Sequence, residues 1–303
     1  MPDIIALGEP MIEFNEEADG RYRQGFGGDT SNAAIAAARL GASVRYVTLV
    51  GKDRFGDLFM ELWAHEGIDT QFVGRHGTAS TGAYIVNRTP SGHAFTYLRA
   101  GSAASLMTPA DVPAAALAAS KFLHISAISQ AISPSARETV AHAMAQITPG
   151  GAALSYDTNL RLQLWSLADA RATIEATAAQ ANIVKTSIED ARLLTGLETP
   201  GSIAKHYLSM GPSVVIVTLG GEGVLIATPH ASWSMPAHMV RSVDATGAGD
   251  AFAGAFLAEY ASRPDPESAA RFANAAAALA TTGYGAVAPL PTREAVLALL
   301  RTA

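Results

Sequence analysis

A short glycine-rich segment ending in a carboxylate is the part of this sequence best suited to chemistry. Residues 243–250 read VDATGAGD and stand between a strand-like run, Met239–Val243, and a helix-forming run, Ala251–Tyr260. Glycine and alanine let the backbone turn sharply and approach a ligand closely, and the first amides of a helix attract anions such as phosphate. This segment is therefore predicted to hold a transferring phosphoryl group.

Asp250 closes this segment at the point where the helix would begin. A carboxylate repels a phosphate, but it can accept the proton of an attacking hydroxyl, which contributes about 10²–10⁴-fold to a rate. An aspartate at a helix start is also a common N-cap, but the nearby Asp244 and the flanking glycines favour catalysis. The segment lacks the lysine of a Walker A loop and the spacing of a dinucleotide fingerprint. Backbone amides, a divalent metal and more distant side chains must therefore offset the phosphate charge.

A second pair of glycines lies near the amino end. Gly27 and Gly28 precede a helix-forming run, with Asp29 and Asn32 directly after them. Glycines let a polyol lie against main-chain N–H groups, while the aspartate and the asparagine offer acceptors and donors to its hydroxyls. A simple turn with an N-cap explains the same residues equally well, so this segment alone leaves both interpretations open.

Short β-rich runs alternate with longer amphipathic runs, which predicts an α/β fold with a mainly parallel sheet between helical layers. The predicted strands are Ile4–Gly8, Val44–Val50, Phe122–Ser126, Ala153–Asp157, Ile183–Thr186 and Val214–Leu219. The predicted helices are Asn32–Leu40, Asp57–Glu66, Ala136–Gln146, Ala168–Ala181 and Ile203–Met210. Ligands bind such sheets at the carboxyl ends of the strands. The sequence has no linker and no repeat, so residues 1–303 are predicted to form a single domain.

One segment breaks this alternation. Gly82–Asn87 and His93–Arg99 are both β-rich, and turn-forming residues at 89–92 join them without a helix. This pattern predicts an antiparallel hairpin, and residues 11–26 are predicted to add further strands to it. Residues 11–26 and 82–99 would then form a small β-sheet that acts as a lid, because its closure excludes water from a reaction. An ordinary edge hairpin is the alternative.

The two glycine segments together resemble the signatures of the ribokinase-like (PfkB) carbohydrate kinases, and the resemblance covers nearly the whole chain. The amino-terminal signature matches at Gly27, Gly28, Asn32, Ala34, Gly41 and Gly51. The carboxy-terminal signature matches at Asp244, Gly247, Ala248, Gly249 and Asp250. Two long patterns in the family's order and separation are far more specific than either alone. Ala245 departs from the Thr, Ser or Pro more common there, at a place that touches no chemistry.

The resemblance implies a three-layer α/β/α ribokinase-like fold with a β-sheet lid, and Asp250 as the catalytic base. It further implies an anion hole formed by the main-chain amides of Gly247, Ala248 and Gly249. It also implies ATP and Mg²⁺, with a monovalent cation as a further candidate cofactor. The nucleotide contacts that it implies come from a loop after a core strand, the glycine-rich turn and a late helix. They are Thr218, Gly220, Gly223, Gly247, Gly249 and Asn274.

One motif departs from the family pattern. The family often carries Asn-x-x-Glu near the metal and the phosphates, and here Ser187 and Asp190 stand in those places. Asp190 keeps a carboxylate on a shorter arm and is the candidate metal ligand. Ser187 replaces the amide, so this motif is expected to handle the metal through bridging water, and Ser187 is a candidate nucleotide contact. Lys185 is a candidate contact of the nucleotide phosphates, with a surface lysine as the alternative.

Several segments resemble the 2-keto-3-deoxygluconate kinases of the family, among them residues 10–14 (PMIEF), 27–30 (GGDT) and 157–161 (DTNLR). Such a sugar acid carries a carboxylate that a neutral hexose lacks, and arginine binds a carboxylate through paired, charge-assisted hydrogen bonds. Arg99 and Arg161 are the candidates for that contact. The full set of candidate sugar contacts is Gly27, Gly28, Asp29, Asn32, Tyr84, Tyr97, Arg99, Arg161 and Asp250.

The resemblance therefore implies an ATP-dependent kinase that phosphorylates the terminal hydroxyl of 2-keto-3-deoxygluconate. A fructokinase or another neutral-sugar kinase is the alternative within the family, because fructokinases often carry an arginine near position 99. A non-catalytic regulator that binds a sugar or a nucleotide is the alternative of another class. The presence of Asp250 and of both glycine turns argues against that regulator.

Composition bears on the compartment and the partners. The chain has 303 residues, 49% of them hydrophobic, a net charge of −6 and no cysteine. Lack of cysteine excludes disulfides and fits a cytoplasmic protein, and the acidic balance argues against a nucleic-acid partner. No signal peptide is expected, and no run approaches the ~20 apolar residues of a membrane span, so no membrane partner is expected. Lid sheets of the family often pair between subunits, which implies a homodimer or a higher homo-oligomer.

Overall fold

The computed structural model describes residues 1–89, 92–147 and 151–302. The strands are β1 (Ile4–Leu7), β2 (Met11–Glu16), β3 (Tyr22–Gly27), β4 (Val44–Gly51), β5 (Val73–His76), β6 (Gly82–Thr89), β7 (Gly92–Leu98), β8 (Phe122–Ser126), β9 (Ala153–Asp157), β10 (Ile183–Ser187), β11 (Val214–Thr218), β12 (Val224–Ala227) and β13 (Ser232–Met235). The helices are α1 (Asp29–Arg39), α2 (Arg54–His65), α3 (Ala114–Leu117), α4 (Ala127–Ala131), α5 (Pro134–Ile147), α6 (Leu167–Ala178), α7 (Ile188–Thr195), α8 (Pro200–Met210), α9 (Ala248–Ser262), α10 (Pro266–Ala280) and α11 (Arg293–Thr302).

The main sheet has nine strands in the order β13-β12-β11-β10-β9-β8-β1-β4-β5. The seven strands from β11 to β5 pair in parallel, and β12 and β13 are antiparallel at one edge. Each of the six predicted core strands is present, and Phe122–Ser126 and Ala153–Asp157 have the predicted bounds. The mainly parallel sheet expected from the β–α alternation is therefore confirmed.

Helices cover both faces of this sheet. Ile4 and Ala6 of β1 lie in one hydrophobic cluster with residues of α1, α2, α9, α10 and α11. Ile5 and Leu7 point the opposite way, into a second cluster with residues of α3 to α8. Successive side chains of a strand point to opposite faces, so β1 contributes to two cores. The three-layer α/β/α fold is confirmed.

A second sheet has four strands in the order β3-β2-β6-β7. β2 pairs in parallel with β6, while the pairs β2–β3 and β6–β7 are antiparallel. One face packs on the main body, where Phe26 contacts Phe59 of α2 with ring centroids 5.2 Å apart. The opposite face carries Tyr84 and Tyr97, which are register partners. The predicted turn at 89–92 lies partly outside the described residues, because Pro90 and Ser91 are not among them.

The segment before α9 is not the strand that we expected. Met239–Val243 pairs with no strand among the described residues, and Met239 is 96% exposed. The amides of Val243 and Asp244 both donate to the carbonyl of Thr281, so they tie the segment to the loop after α10. The apolar residues that suggested a strand therefore lie in an irregular connection.

Among the described residues, no helix is both long enough and apolar enough to cross a bilayer.

Candidate active site

Asp250 lies in the first turn of α9, at the meeting point of both glycine segments. Gly247 precedes the helix in the left-handed region, with φ of 77°, and a Cβ there would lie 2.9 Å from the Cβ of Ala286. Only glycine fits such a position without strain. The carboxylate of Asp250 accepts a hydrogen bond of 2.9 Å from the Asn32 side chain on α1. Two turns that lie far apart in sequence thus meet at one carboxylate.

The predicted set of amide donors needs one correction. The amide of Ala248 donates to the carbonyl of Ala245 at 3.1 Å and closes the turn. It is therefore not free to bind an anion. The amides of Gly249 and Asp250 follow in the first helical turn, where helix geometry provides no acceptor. In the described structure the available donors are the amides of Gly247, Gly249 and Asp250.

The pKa of Asp250 is raised from 3.8 to about 7, and burial is the largest cause. The neighbouring carboxylates of Asp29 and Asp157 contribute to this increase, while the Asn32 hydrogen bond and the Lys185 ammonium oppose it. A carboxylate with a pKa near neutrality has a high proton affinity and is still ionised in a large fraction of molecules. That combination suits a general base.

Lys185 is buried, so the alternative of a surface lysine is wrong. It is the register partner of Asp157 on the adjacent strand, and its Nζ lies 2.7 Å from the Asp157 carboxylate. Burial lowers the pKa of Lys185, but the carboxylates of Asp157, Asp250 and Asp190 together raise it by more, so the net shift is upward. A Cβ on Gly249 would lie 3.4 Å from Nζ. The ammonium group therefore lies against the glycine-rich turn, where it can attract a phosphate.

The second glycine segment forms the opposite wall. A Cβ on Gly27 would lie 2.4 Å from the Tyr84 hydroxyl, and Gly28, with φ of 97°, packs against the carbonyl of Glu9. The carboxylate of Asp29 accepts a 2.9 Å hydrogen bond from the Asn159 side chain. The glycines therefore let the lid and the core approach closely around Asp29.

The two candidate arginines lie in different surroundings. Arg99 is mostly buried, lies over the ring of Tyr97 at 5.5 Å, and is ion-paired with the fully buried Glu9. Its Nε is buried without a partner among the described residues. Arg161 is exposed and donates to the carbonyl of Leu160 at 2.8 Å. Burial raises the pKa of Asp190, and the charge of Arg161 partly opposes that increase. The structure therefore assigns Arg99 to the lid wall and Arg161 to the side of the site near Asp190.

Asp190 and Ser187 begin α7 next to this cluster. The Ser187 hydroxyl accepts from the amide of Asp190 at 3.0 Å, so it caps the helix. Burial raises the pKa of Asp190, whose carboxylate accepts from the amide of Leu160 at 3.0 Å. Within the described residues no group of three metal-binding side chains exists. One carboxylate still fits Mg²⁺ bound mainly through phosphates and water, which is its usual mode beside nucleotides.

The candidate nucleotide loop follows β11. The Thr218 hydroxyl donates to the carbonyl of Thr186 at 3.3 Å, and Gly220 has φ of 57°. A Cβ on Gly223 would lie 2.0 Å from the carbonyl oxygen of Met235. The Asn274 amide donates to the carbonyl of Pro236 at 2.7 Å, which leaves its Oδ1 as the atom that can accept from a ligand.

Sequence reasoning assigned no role to three buried acids and one amide that complete the site. They are Glu9, Glu13, Asp157 and Asn159. Three of them lie in segments that resembled sugar acid kinases, and Glu9 follows the first strand directly. Position at a strand end was therefore the available signal for Glu9, Asp157 and Asn159. Glu13 lies inside β2, so only the resemblance of its segment pointed to it.

Comparisons with known proteins agree with this geometry. Residues 1–293 match the family described as pfkB family carbohydrate kinase. The chain is 34% identical to 2-dehydro-3-deoxygluconokinase of Thermoproteus tenax, over 97% of this chain and 93% of that protein. It is 32% identical to fructokinase-1 of Oryza sativa subsp. japonica, over 99% and 98%.

A solved structure also matches. The fructokinase of Vibrio cholerae O395, with fructose, ADP and calcium bound, superimposes with a TM-score of 0.91 at 29% identity, over 98% of this chain and 99% of that one. Family, relatives and fold all point to transfer of a phosphoryl group to a sugar hydroxyl. The chain belongs to the pfkB family of carbohydrate kinases.

Proposed function

We propose that this kinase transfers the γ-phosphoryl group of ATP to the terminal hydroxyl of 2-keto-3-deoxygluconate. The observation that carries the proposal is Arg99, which is buried on the lid wall with an Nε that has no partner among the described residues. A buried guanidinium with a free donor suits the carboxylate of a sugar acid better than a neutral hydroxyl. Arg161 is the second candidate for that carboxylate.

Asp250 accepts the proton of the terminal hydroxyl as its oxygen bonds to the γ-phosphorus. The bond between that phosphorus and the bridging oxygen of ADP breaks, so the products are the sugar phosphate, ADP and one proton. The amides of Gly247 and Gly249, together with Lys185, stabilise the negative charge on the equatorial oxygens. Mg²⁺, when bound with ATP, neutralises phosphate charge, and Asp190 is the residue that would hold it.

Fructose is the second candidate substrate. The fructokinase of Oryza sativa is nearly as similar to this chain as the Thermoproteus enzyme, at 32% against 34% identity. The ion pair between Arg99 and Glu9 favours this alternative, because Glu9 already neutralises the positive charge that a substrate carboxylate would need.

A coupled assay for ADP separates the two substrates. The purified protein is supplied with ATP and Mg²⁺ and with either the keto acid or fructose, and Asp250→Asn serves as the inactive control. We expect kcat/KM to favour the keto acid by at least about tenfold, the value of one charge-assisted hydrogen bond. Turnover of fructose without turnover of the keto acid would reject the proposed substrate.

A homodimer stays a prediction. The lid ends in two edge strands, β3 and β7, and an exposed strand edge favours pairing with a second chain. A monovalent cation and a cytoplasmic location likewise stay predictions.

A further inference from the structure

Glu13 is a buried carboxylate on the lid face that carries the tyrosines, and no step of the proposed reaction uses it. Glu13 is only 1% exposed. In the lid sheet it is the register partner of Tyr84 on β6 and of Gly25 on β3. These three residues therefore share one face of the lid.

The carboxylate of Glu13 accepts hydrogen bonds from the Tyr84 hydroxyl and from the Asn15 side-chain amide. Burial raises the pKa of Glu13, these two hydrogen bonds lower it, and the Asp244 carboxylate raises it again. A Cβ on Gly25 would lie 3.0 Å from Oε1 of Glu13, and one on Gly285 would lie 3.3 Å from it. Glycines on both sides thus leave space for this carboxylate. Tyr84 and Asn15 both act as hydrogen-bond donors to it.

A tyrosine hydroxyl has one proton to donate and lone pairs that can accept. Because the proton of Tyr84 points to Glu13, the phenolic oxygen has only lone pairs to offer elsewhere. That oxygen lies against Gly27, since a Cβ there would stand 2.4 Å from it. Tyr84 is therefore fixed as an acceptor at the wall proposed to hold the sugar.

We propose that Glu13 is a positioning residue that sets specificity: it turns Tyr84 into a hydrogen-bond acceptor, so that the enzyme selects sugars with a hydroxyl donor at that place. The inference rests on the proposed function, because it requires Tyr84 to line the sugar site. A substrate with only an acceptor at that place would bring lone pairs against lone pairs. Such a contact costs the hydrogen bond and leaves a buried oxygen unsatisfied.

Deoxy and deoxyfluoro analogues of the sugar substrate test this inference. In each analogue one hydroxyl other than the terminal one is replaced by hydrogen or by fluorine. Fluorine can accept a hydrogen bond weakly but cannot donate one. At one position we expect the fluoro analogue to lose at least about tenfold in kcat/KM against the parent sugar and to be no better than the deoxy analogue. The measure is the ratio of parent to fluoro analogue within one protein, which a change in the folded fraction does not alter.

Glu13→Ala frees the Tyr84 hydroxyl to rotate and to donate, so the ratio should fall at least about fivefold. Tyr84→Phe removes the acceptor, so the ratio should come within about threefold of unity. Asn15→Ala is the matched control, because it removes the other donor to Glu13 without touching Tyr84. Its ratio should stay within about twofold of that of the unmodified protein.

A Glu13→Ala protein with the unchanged ratio would overturn the inference, because Glu13 would then hold the lid without directing Tyr84. If that variant does not fold, the ratios measured for the unmodified protein and for Tyr84→Phe test the inference. Equal turnover of parent and fluoro analogue at every position in the unmodified protein overturns the inference. If the keto acid is not phosphorylated but fructose is, the proposed substrate fails, and the same series made from fructose still tests Glu13.

Discussion

Replacing Asp250 with asparagine should stabilise the substrate-free protein while removing its activity. Burial and the neighbouring carboxylates raise the pKa of Asp250 from 3.8 to about 7, and three pKa units correspond to about 4 kcal/mol. That cost is absent below pH 3.8, grows as the pH rises to about 7, and is constant above it, because the folded state holds the proton more tightly than the unfolded state. An asparagine carries no charge and can still accept the hydrogen bond of Asn32.

The measurement is urea denaturation of both proteins without ligands, at pH 5, 6, 7 and 8. Relative to the unmodified protein, Asp250→Asn should gain about 2 kcal/mol in the free energy of unfolding between pH 5 and pH 7, and little more by pH 8. Its sugar kinase activity should fall at least about 100-fold. Asp169→Asn, at an exposed aspartate on another helix, controls for the substitution itself. A stability difference that is constant with pH, or a less stable Asp250→Asn protein at pH 8, would refute the reasoning.

Three further predictions concern the charges and the packing around this residue. Below pH about 7, kcat/KM for the sugar should fall about tenfold per pH unit, since protonated Asp250 cannot accept a proton; a profile that is flat to pH 5 contradicts this. Lys185→Met should move that acidic limb to higher pH and Asp157→Asn to lower pH, because one removes a positive and the other a negative charge. The pH–rate profiles of both variants provide the measurement, and acidic limbs that move in the same direction would reject these assignments. Gly254→Ala should destabilise the fold by about 1–3 kcal/mol in urea denaturation, despite the better helix propensity of alanine. The added Cβ would lie 2.2 Å from the backbone oxygen of Ala33, and unchanged stability would disprove that contact.

Most of the fold could be predicted because each core element carries its own local pattern. Phe122–Ser126 and Ala153–Asp157 are β-rich runs with clear ends, and their observed bounds match. Met239–Val243 also contains apolar residues but pairs with no strand among the described residues, and the amide of Val243 bonds to the carbonyl of Thr281 in a loop. Local composition predicts that a segment can form a strand, whereas a strand also needs a partner with free donors and acceptors.

The candidate site could be predicted only in part, because its key pairings depend on register between distant segments. Asp157 and Lys185 are 28 positions apart, and they meet because β9 and β10 pair with these residues side by side. Glu9 and Arg99 are 90 positions apart and meet where the lid joins the core. The sequence names the residue types, but it does not give the alignment of one strand against the next. The sequence therefore identifies Arg99 as a candidate carboxylate ligand but does not show that Glu9 pairs with it.

The high pKa of Asp250 links the stability of this protein to its chemistry. A general base works best when its pKa lies near the working pH, since it must be ionised and must still hold a proton tightly. Burial alone would push the pKa of Asp250 upward, and Asn32 and Lys185 oppose that shift. Removing the side chain of Asn32 or Lys185 should therefore leave Asp250 protonated at neutral pH. Removing the Asp250 carboxylate should give a more stable but inactive protein. The folding cost at this position follows directly from the proton affinity that the reaction requires.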